Sequence, residues 1–406
     1  METSLKQVIM NNGQLVTKIH LSISPKIMKI TKKSQNNFSL QIGLYLLLVF
    51  LYLLVFLIFP YALQFVRYIL HSSNNSQIGQ KTASRRLKTQ IYNKTSKNFE
   101  PDARKLYSDD SSENADFSQV CKPKFRGNLP PASSTNDVIL LYATKFTPGL
   151  HLALRSYQAS QCKARIIIFV SGQFKGSRKD MNFLNEINAT IVDQCTEDPS
   201  ISSAPVPHML RFKCELEWLN ENIDSGIDRV LHTDSYDIFF QSDPFIPEMI
   251  QNDSLTFVVE PHFIRGCGWN LNWFTSCYGE TITPSFIDNF IVCSGTIAGS
   301  AKHYQTLLKL MLEQPQWKTC YTHSRDQPIL NYLIWSGKVD ERGIKYRFSG
   351  CDGGFATLQW CILNYEVKYN KMGQVVLPSG IVPAYIHQYP RHESLKNHLY
   401  QACGIH

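Results

Sequence analysis

From Asp137 onward the chain alternates short apolar runs with segments of helical spacing. Val138 to Tyr142 reads as a buried strand, and Thr147-Pro148-Gly149 as a turn and helix start. Leu150 to Ser160 then carries a helical pattern. Arg165 to Val170 is a second strand, closed by Ser171-Gly172, and Ala189 to Asp193 a third. His208 to Asn222 has helical spacing, with Leu210, Cys214 and Trp218 on one side. Arg229 to Thr233 is a fourth strand that runs straight into Asp234. Strands alternating with helices predict an α/β domain with a mainly parallel sheet. Such sheets bind ligands beyond the carboxyl ends of their strands, which is where Asp234 falls.

Upstream, the pattern is of a different kind. Ile42 to Leu63 contains no charged residue, and roughly twenty apolar residues cross a bilayer core as a helix. The run is too long and too far into the chain for a cleaved signal peptide, and it has no polar face to mark a core helix. Lys26, Lys29, Lys32 and Lys33 precede it closely, against Arg67 and Lys81 after it. The positive-inside bias therefore predicts a cytosolic N-terminus. His71 to Thr135 is polar, with an acidic patch and Pro130-Pro131, a composition suited to a flexible stem. The expected layout is a basic cytosolic tail at 1–38, a transmembrane signal anchor at 39–66, a stem at 67–135 and a folded domain at 136–406.

The net charge of +8 changes little, because much of the positive charge flanks the anchor. No basic stripe with interleaved aromatics points to nucleic acid. All eleven cysteines lie beyond the anchor, which suggests disulfides in an oxidising lumen. Cys267 and Cys277 are close enough in sequence to pair across a short loop. No Cys-x-x-Cys pair or Cys/His zinc spacing occurs, so the cysteines read as structural. Asn74, Asn93, Asn188 and Asn252 each open a glycosylation tripeptide on the same side of the anchor.

The candidate chemistry lies in Arg229 to Phe245. A strand ends, and Asp234 and Asp237 follow three residues apart before hydrophobic residues resume. Two carboxylates crowded at a strand end repel one another unless a cation sits between them. Oxygen ligands of this kind suit Mg²⁺ or Mn²⁺. An isolated Asp-x-x-Asp is ordinarily a surface turn. Its position directly after an apolar strand makes it a metal-site candidate.

The order of tail, anchor, stem and α/β domain resembles a Golgi-type glycosyltransferase of the GT-A fold, a Rossmann-like architecture with a mainly parallel mixed sheet. Thr233-Asp-Ser-Tyr-Asp237 resembles the acidic motif in the glycosyltransferase domain of procollagen lysyl hydroxylases. Phe240 to Phe245 resembles the continuation in other GT-A-like transferases. The overall resemblance spans about Asp137 to Gln388. It implies that Asp234 and Asp237 hold Mn²⁺ (or Mg²⁺) against the diphosphate of a nucleotide-sugar donor, with a late His, here His387, completing the metal site. It implies that Thr144 and Lys145, at the end of the first strand, receive the base and ribose. Arg211 either reaches a phosphate or is an ordinary surface charge. Cys293 to Gly299 resembles the acceptor-side stretch of the fold, with Ser294 and Gly295 at its centre and Cys293 where Asn is frequent. Ser324 to Gln327 resembles the element whose acidic residue, here Asp326, faces acceptor and donor sugar; the same Asp is also a good helix N-cap. Trp269, Asn270 and Trp273 form either a sugar-stacking surface or a cluster of core aromatics.

The implied activity is transfer of a sugar from a nucleoside-diphosphate sugar to a glycan, glycoprotein or lipid acceptor, in the Golgi or ER lumen, by a single-pass type II membrane protein. If the reaction inverts, a carboxylate takes the hydroxyl proton, Asp326 first and Asp352 second. Two rivals stand beside it: a catalytically silent lumenal binding protein of the same fold, and a metal-dependent phosphotransferase or nucleotidyltransferase. No phosphate loop, His-Glu-x-x-His or Gly-x-Ser-x-Gly motif is present.

Overall fold

A computed structural model describes residues 9–11, 14–16, 115–122, 132–170, 174, 176–193, 195, 206–323, 325–362 and 366–405. The chain divides into two units, residues 1–87 and 88–406. In the first, Ile9–Asn11 and Gln14–Val16 pair as a short antiparallel ladder. The expected anchor at 39–66 lies outside the described residues. Among the described residues, no helix is long and apolar enough to cross a membrane.

The second unit is built on a mixed, mostly parallel seven-stranded sheet. Its strands are β1 (Asp137–Ala143), β2 (Arg165–Val170), β3 (Thr190–Val192), β4 (Arg229–Thr233), β6 (Leu255–Phe263), β7 (Phe290–Ser300) and β8 (Tyr346–Ser349). They lie in the order β8-β6-β7-β4-β1-β2-β3, with β7 antiparallel to both of its neighbours and every other pairing parallel. The architecture is compatible with a Rossmann-like α/β fold. Strand β1 is buried on both faces, as a central parallel strand requires. Val138, Leu140 and Tyr142 join a core with Met209 and Phe212 of helix α3 (Pro207–Asn222). Ile139, Leu141 and Ala143 face the other way, toward Leu150 and Leu154 of α1 (Pro148–Ser160).

The helix ends follow local chemistry. Thr147 caps α1 by accepting from Leu150 N, and Pro148 occupies the first turn, where its missing donor is not needed. Ser177 and Asp180 form a reciprocal capping box on α2 (Arg178–Glu186). The four strands and the helices expected from periodicity coincide with observed elements. Periodicity did not disclose β6, β7 and β8, nor a second, three-stranded sheet. That sheet consists of β5 (Ile238–Phe240), β9 (Phe355–Thr357) and β12 (Tyr385–His387), with β12 central. A further short pair joins β10 (Lys368–Tyr369) to β11 (Val375–Val376).

Three disulfides link Cys121 to Cys403, Cys195 to Cys214 and Cys351 to Cys361. The pairing expected for Cys267 and Cys277 does not occur, and both are buried thiols. Cys267 precedes helix α4 (Gly268–Ile282) and Cys277 lies within it. Ten residues of helix separate their Cα atoms by about 15 Å, beyond the roughly 7 Å a disulfide spans. Two stretches inside the expected stem belong to the folded unit. Val120 is fully buried beside Cys121, and the backbone N–H groups of Ala132 and Ser133 both donate to Asp243, at 2.8 Å. Asn188 and Asn252, the two glycosylation candidates among the described residues, are both exposed.

Candidate metal centre

Three strands and one turn bring the site together. Strand β4 ends at Thr233, which pairs with Thr296 of β7. This register lets Asp234 N donate to Gly295 O at 3.0 Å. Ser235 Oγ then donates to Tyr142 O, and the Tyr236 hydroxyl accepts from Thr144 N at 2.8 Å. These contacts fasten the turn to the end of β1. Asp237 leads directly into β5, where Ile238 pairs with His387 of β12. Gln388 N donates to Asp237 O at 2.8 Å. Sheet register therefore carries His387 across 150-odd residues to the two aspartates.

Ligand atoms of Asp234, Asp237 and His387 all lie within 4.8 Å of one another. His387 Nε2 is 3.0 Å from Asp234 Oδ2 and 3.5 Å from Asp237 Oδ1. The imidazole is buried, whereas the aspartate side chains are 31% and 32% exposed, so the cluster opens to solvent on its carboxylate side. Gly295 is what makes room. A Cβ there would stand 2.5 Å from Asp234 Oδ2 and 2.9 Å from His387 Cε1, closer than any side chain tolerates. Two carboxylates and an imidazole form a donor set suited to a divalent cation. This group can hold a metal ion.

The electrostatics match crowded anions. Burial opposes ionisation of Asp234, but Arg211 and His387 hold its carboxyl well below the usual range. Burial likewise opposes charge on His387, yet Asp237 and the hydrogen bond to Asp234 keep its imidazole well above the ordinary value. Its other nitrogen, Nδ1, faces Cys293 Sγ at 3.7 Å. Arg211 is not a surface charge. It is 6% exposed, and its guanidinium bridges Asp234 and Asp326, the latter at 2.5 Å. Both acids raise its already high basicity, so it stays charged.

Two cavities meet at the cluster and share His208, Arg211, Asp234, Gln388 and Arg391. The outer one, about 640 Å³, is lined by Thr144, Tyr236, Asp237 and Arg391. The inner one, about 380 Å³, is lined by Glu260, Trp269, Ser294, Gly295, Asp326 and Trp360. Thr144 and Arg211 thus border the outer cavity with the two aspartates. Lys145 is exposed beside it and is not part of its lining. Ser294, Gly295 and Trp269 line the inner cavity, and Trp269 is 71% exposed at its rim. Asp326 does cap helix α7 (Gln327–Trp335), accepting from Gln327 N at 2.9 Å, and it lines the inner cavity as well. Asp352 lines neither cavity; it accepts a hydrogen bond from Ser379 at 2.6 Å.

Sequence reasoning missed Glu260, Trp360, Gln388 and Arg391. Glu260 lies in β6, a strand that was not foreseen. Gln388 directly follows His387 in the left-handed region, with φ of 59°, and its Oε1 has no hydrogen-bond partner among the described residues. It also missed the support behind Ser294. His232 Nε2 lies 3.0 Å from Ser294 O, and its Nδ1 lies 2.8 Å from Glu215, which also accepts from Tyr304. No protein-family model matches the chain, and no curated protein does.

Proposed function

We propose that the chain transfers a sugar from a nucleoside-diphosphate sugar to a hydroxyl of a glycan, glycoprotein or lipid acceptor, using Mn²⁺ (or Mg²⁺) held by Asp234, Asp237 and His387. The observation that carries this reading is the place of that cluster. It stands beyond the carboxyl ends of β1 and β4, at the junction of two cavities. The outer cavity begins at Thr144, where an α/β sheet ordinarily receives a nucleotide. The inner cavity begins at Ser294 and Gly295 and ends at an exposed tryptophan, a surface on which sugar rings stack. A GT-A-like enzyme needs this division between donor and acceptor.

A divalent cation bound at the cluster would supply positive charge to a diphosphate leaving group. The chain's own residues do the rest. Arg211 fixes Asp234 and Asp326 in one orientation each, so the ligand carboxylate is set before any donor arrives. Arg391 borders both cavities and adds positive charge where the diphosphate would lie. Ser294 and Gly295 line the inner cavity against Asp234, and Ser294 is held from behind by His232. The three disulfides and the exposed glycosylation asparagines support the lumenal, type II arrangement in Golgi or ER membranes.

The reading is tested on the full-length chain, purified in detergent and assayed for hydrolysis of uridine- and guanosine-diphosphate sugars. With Mn²⁺ at least one donor is cleaved, and chelator abolishes the activity. Asp237→Ala lowers the rate roughly 100-fold or more. A metal-dependent activity untouched by Asp237→Ala would show that the metal site has been misassigned.

A further inference from the structure

Three described carboxylates line the inner cavity: Asp234, Asp326 and Glu260. Asp234 belongs to the metal cluster and is paired with Arg211 and His387. Both oxygens of Asp326 are taken, Oδ2 by Arg211 and Oδ1 by Gln327 N. Asp352, the other acid that could take a proton, is outside the cavity.

Glu260 is different. It is 3% exposed, at the end of the buried stretch of β6. The Trp360 indole lines the same cavity. That indole is itself fixed, stacked on His262 with ring centroids 4.4 Å apart and planes 14° from parallel. Glu260 makes no salt bridge among the described residues, and it lines the inner cavity together with Cys293 and His387.

We propose that Glu260 is the catalytic residue that removes the proton from the attacking hydroxyl in the transfer reaction. The inference rests on the glycosyl-transfer reading. In the step, the acceptor O–H bond breaks and its proton passes to a Glu260 oxygen. The hydroxyl oxygen forms a bond to the anomeric carbon, and the bond from that carbon to the diphosphate oxygen breaks. The electron pair of the broken bond stays on the diphosphate. This is a single displacement, so the configuration at the anomeric carbon inverts.

Water serves as the acceptor in the test, so no natural acceptor need be known. Full-length chain in detergent is supplied with Mn²⁺ and the nucleotide sugar it cleaves fastest. Glu260→Gln, which keeps the shape of the side chain, is expected to slow hydrolysis by at least about 100-fold. Mn²⁺ binding, measured by calorimetry, stays within twofold of wild type. Glu260→Asp recovers part of the rate. Proton NMR of the first sugar released shows the inverted anomer. Unchanged hydrolysis in Glu260→Gln, or release of the retained anomer, overturns the role of Glu260. If the wild-type chain cleaves no nucleotide sugar with Mn²⁺, the transfer reading itself falls, and the inference with it.

Discussion

Glu260 has a consequence for stability that is separate from its role in the reaction. Its carboxyl is raised by burial from the 4.5 of a free glutamate to about 7. A raised acid is bound more tightly to its proton in the folded state than in the unfolded chain. Stability is therefore unaffected below about pH 4.5, falls as pH rises toward 7, and levels off above it. The penalty at the plateau is about 3 kcal/mol. Glutamine does not titrate. The stability of metal-free Glu260→Gln should thus exceed that of wild type by a margin that grows across this window, and urea denaturation at successive pH values measures it. A margin that does not change with pH would mean the carboxyl is not buried in the charged form. At this scale the sequence was unevenly legible. Asp234 and Asp237 announce themselves because the two carboxylates are neighbours along the chain. Glu260 sits alone in Val258-Val259-Glu260-Pro261, where nothing local marks a charge that faces inward. Resemblance marks Gly295 as part of an acceptor-side stretch, but only the Asp234 and His387 atoms around it reveal why a methyl group cannot stand there.

Among the elements, helix α3 is tied to the site by one side chain. Arg211 joins α3 to the turn after β4 and to the N-terminus of α7, binding residues 23 and 115 positions away in sequence. Arg211→Met would leave two acids without their cation near a third, and breaking a buried pair in this way costs about 3–5 kcal/mol. Denaturant titration should show that loss. Arg211→Lys should not repair it, since one ammonium cannot form the same two-sided bridge. Persistence of wild-type stability in Arg211→Met would mean the bridge contributes nothing. Periodicity located α1 and α3 because their apolar faces repeat locally. It could not show which strands pair. His387 was chosen as a ligand through resemblance, while the fact that fixes its position is the register of β12 on β5, a contact between segments far apart in sequence. The antiparallel course of β7 was hidden for the same reason, since strand direction leaves no trace in an apolar run.

At the scale of the whole molecule, the described residues of the unit from 88 to 406 combine a seven-stranded sheet, a three-stranded sheet, a short two-stranded pair and three apolar clusters. The third cluster joins Val120 to Leu395 and Leu399 of the C-terminal helix α10 (Glu393–Ala402). The start of the folded unit and its end thus share one core. Polar composition led to the expectation that the stem would run as far as residue 135, because a few buried residues such as Val120 do not outweigh their neighbours in an average. The disulfide from Cys121 to Cys403 spans 282 positions. Opening a loop of that length is worth on the order of 3–5 kcal/mol, and Cys121→Ser should show it in urea denaturation. The same bond makes nearly the whole folded unit a covalent ring. A protease that cuts once anywhere between Lys122 and Ala402 releases nothing: the nicked protein migrates as one chain on a denaturing gel, and separates into two pieces only after reduction.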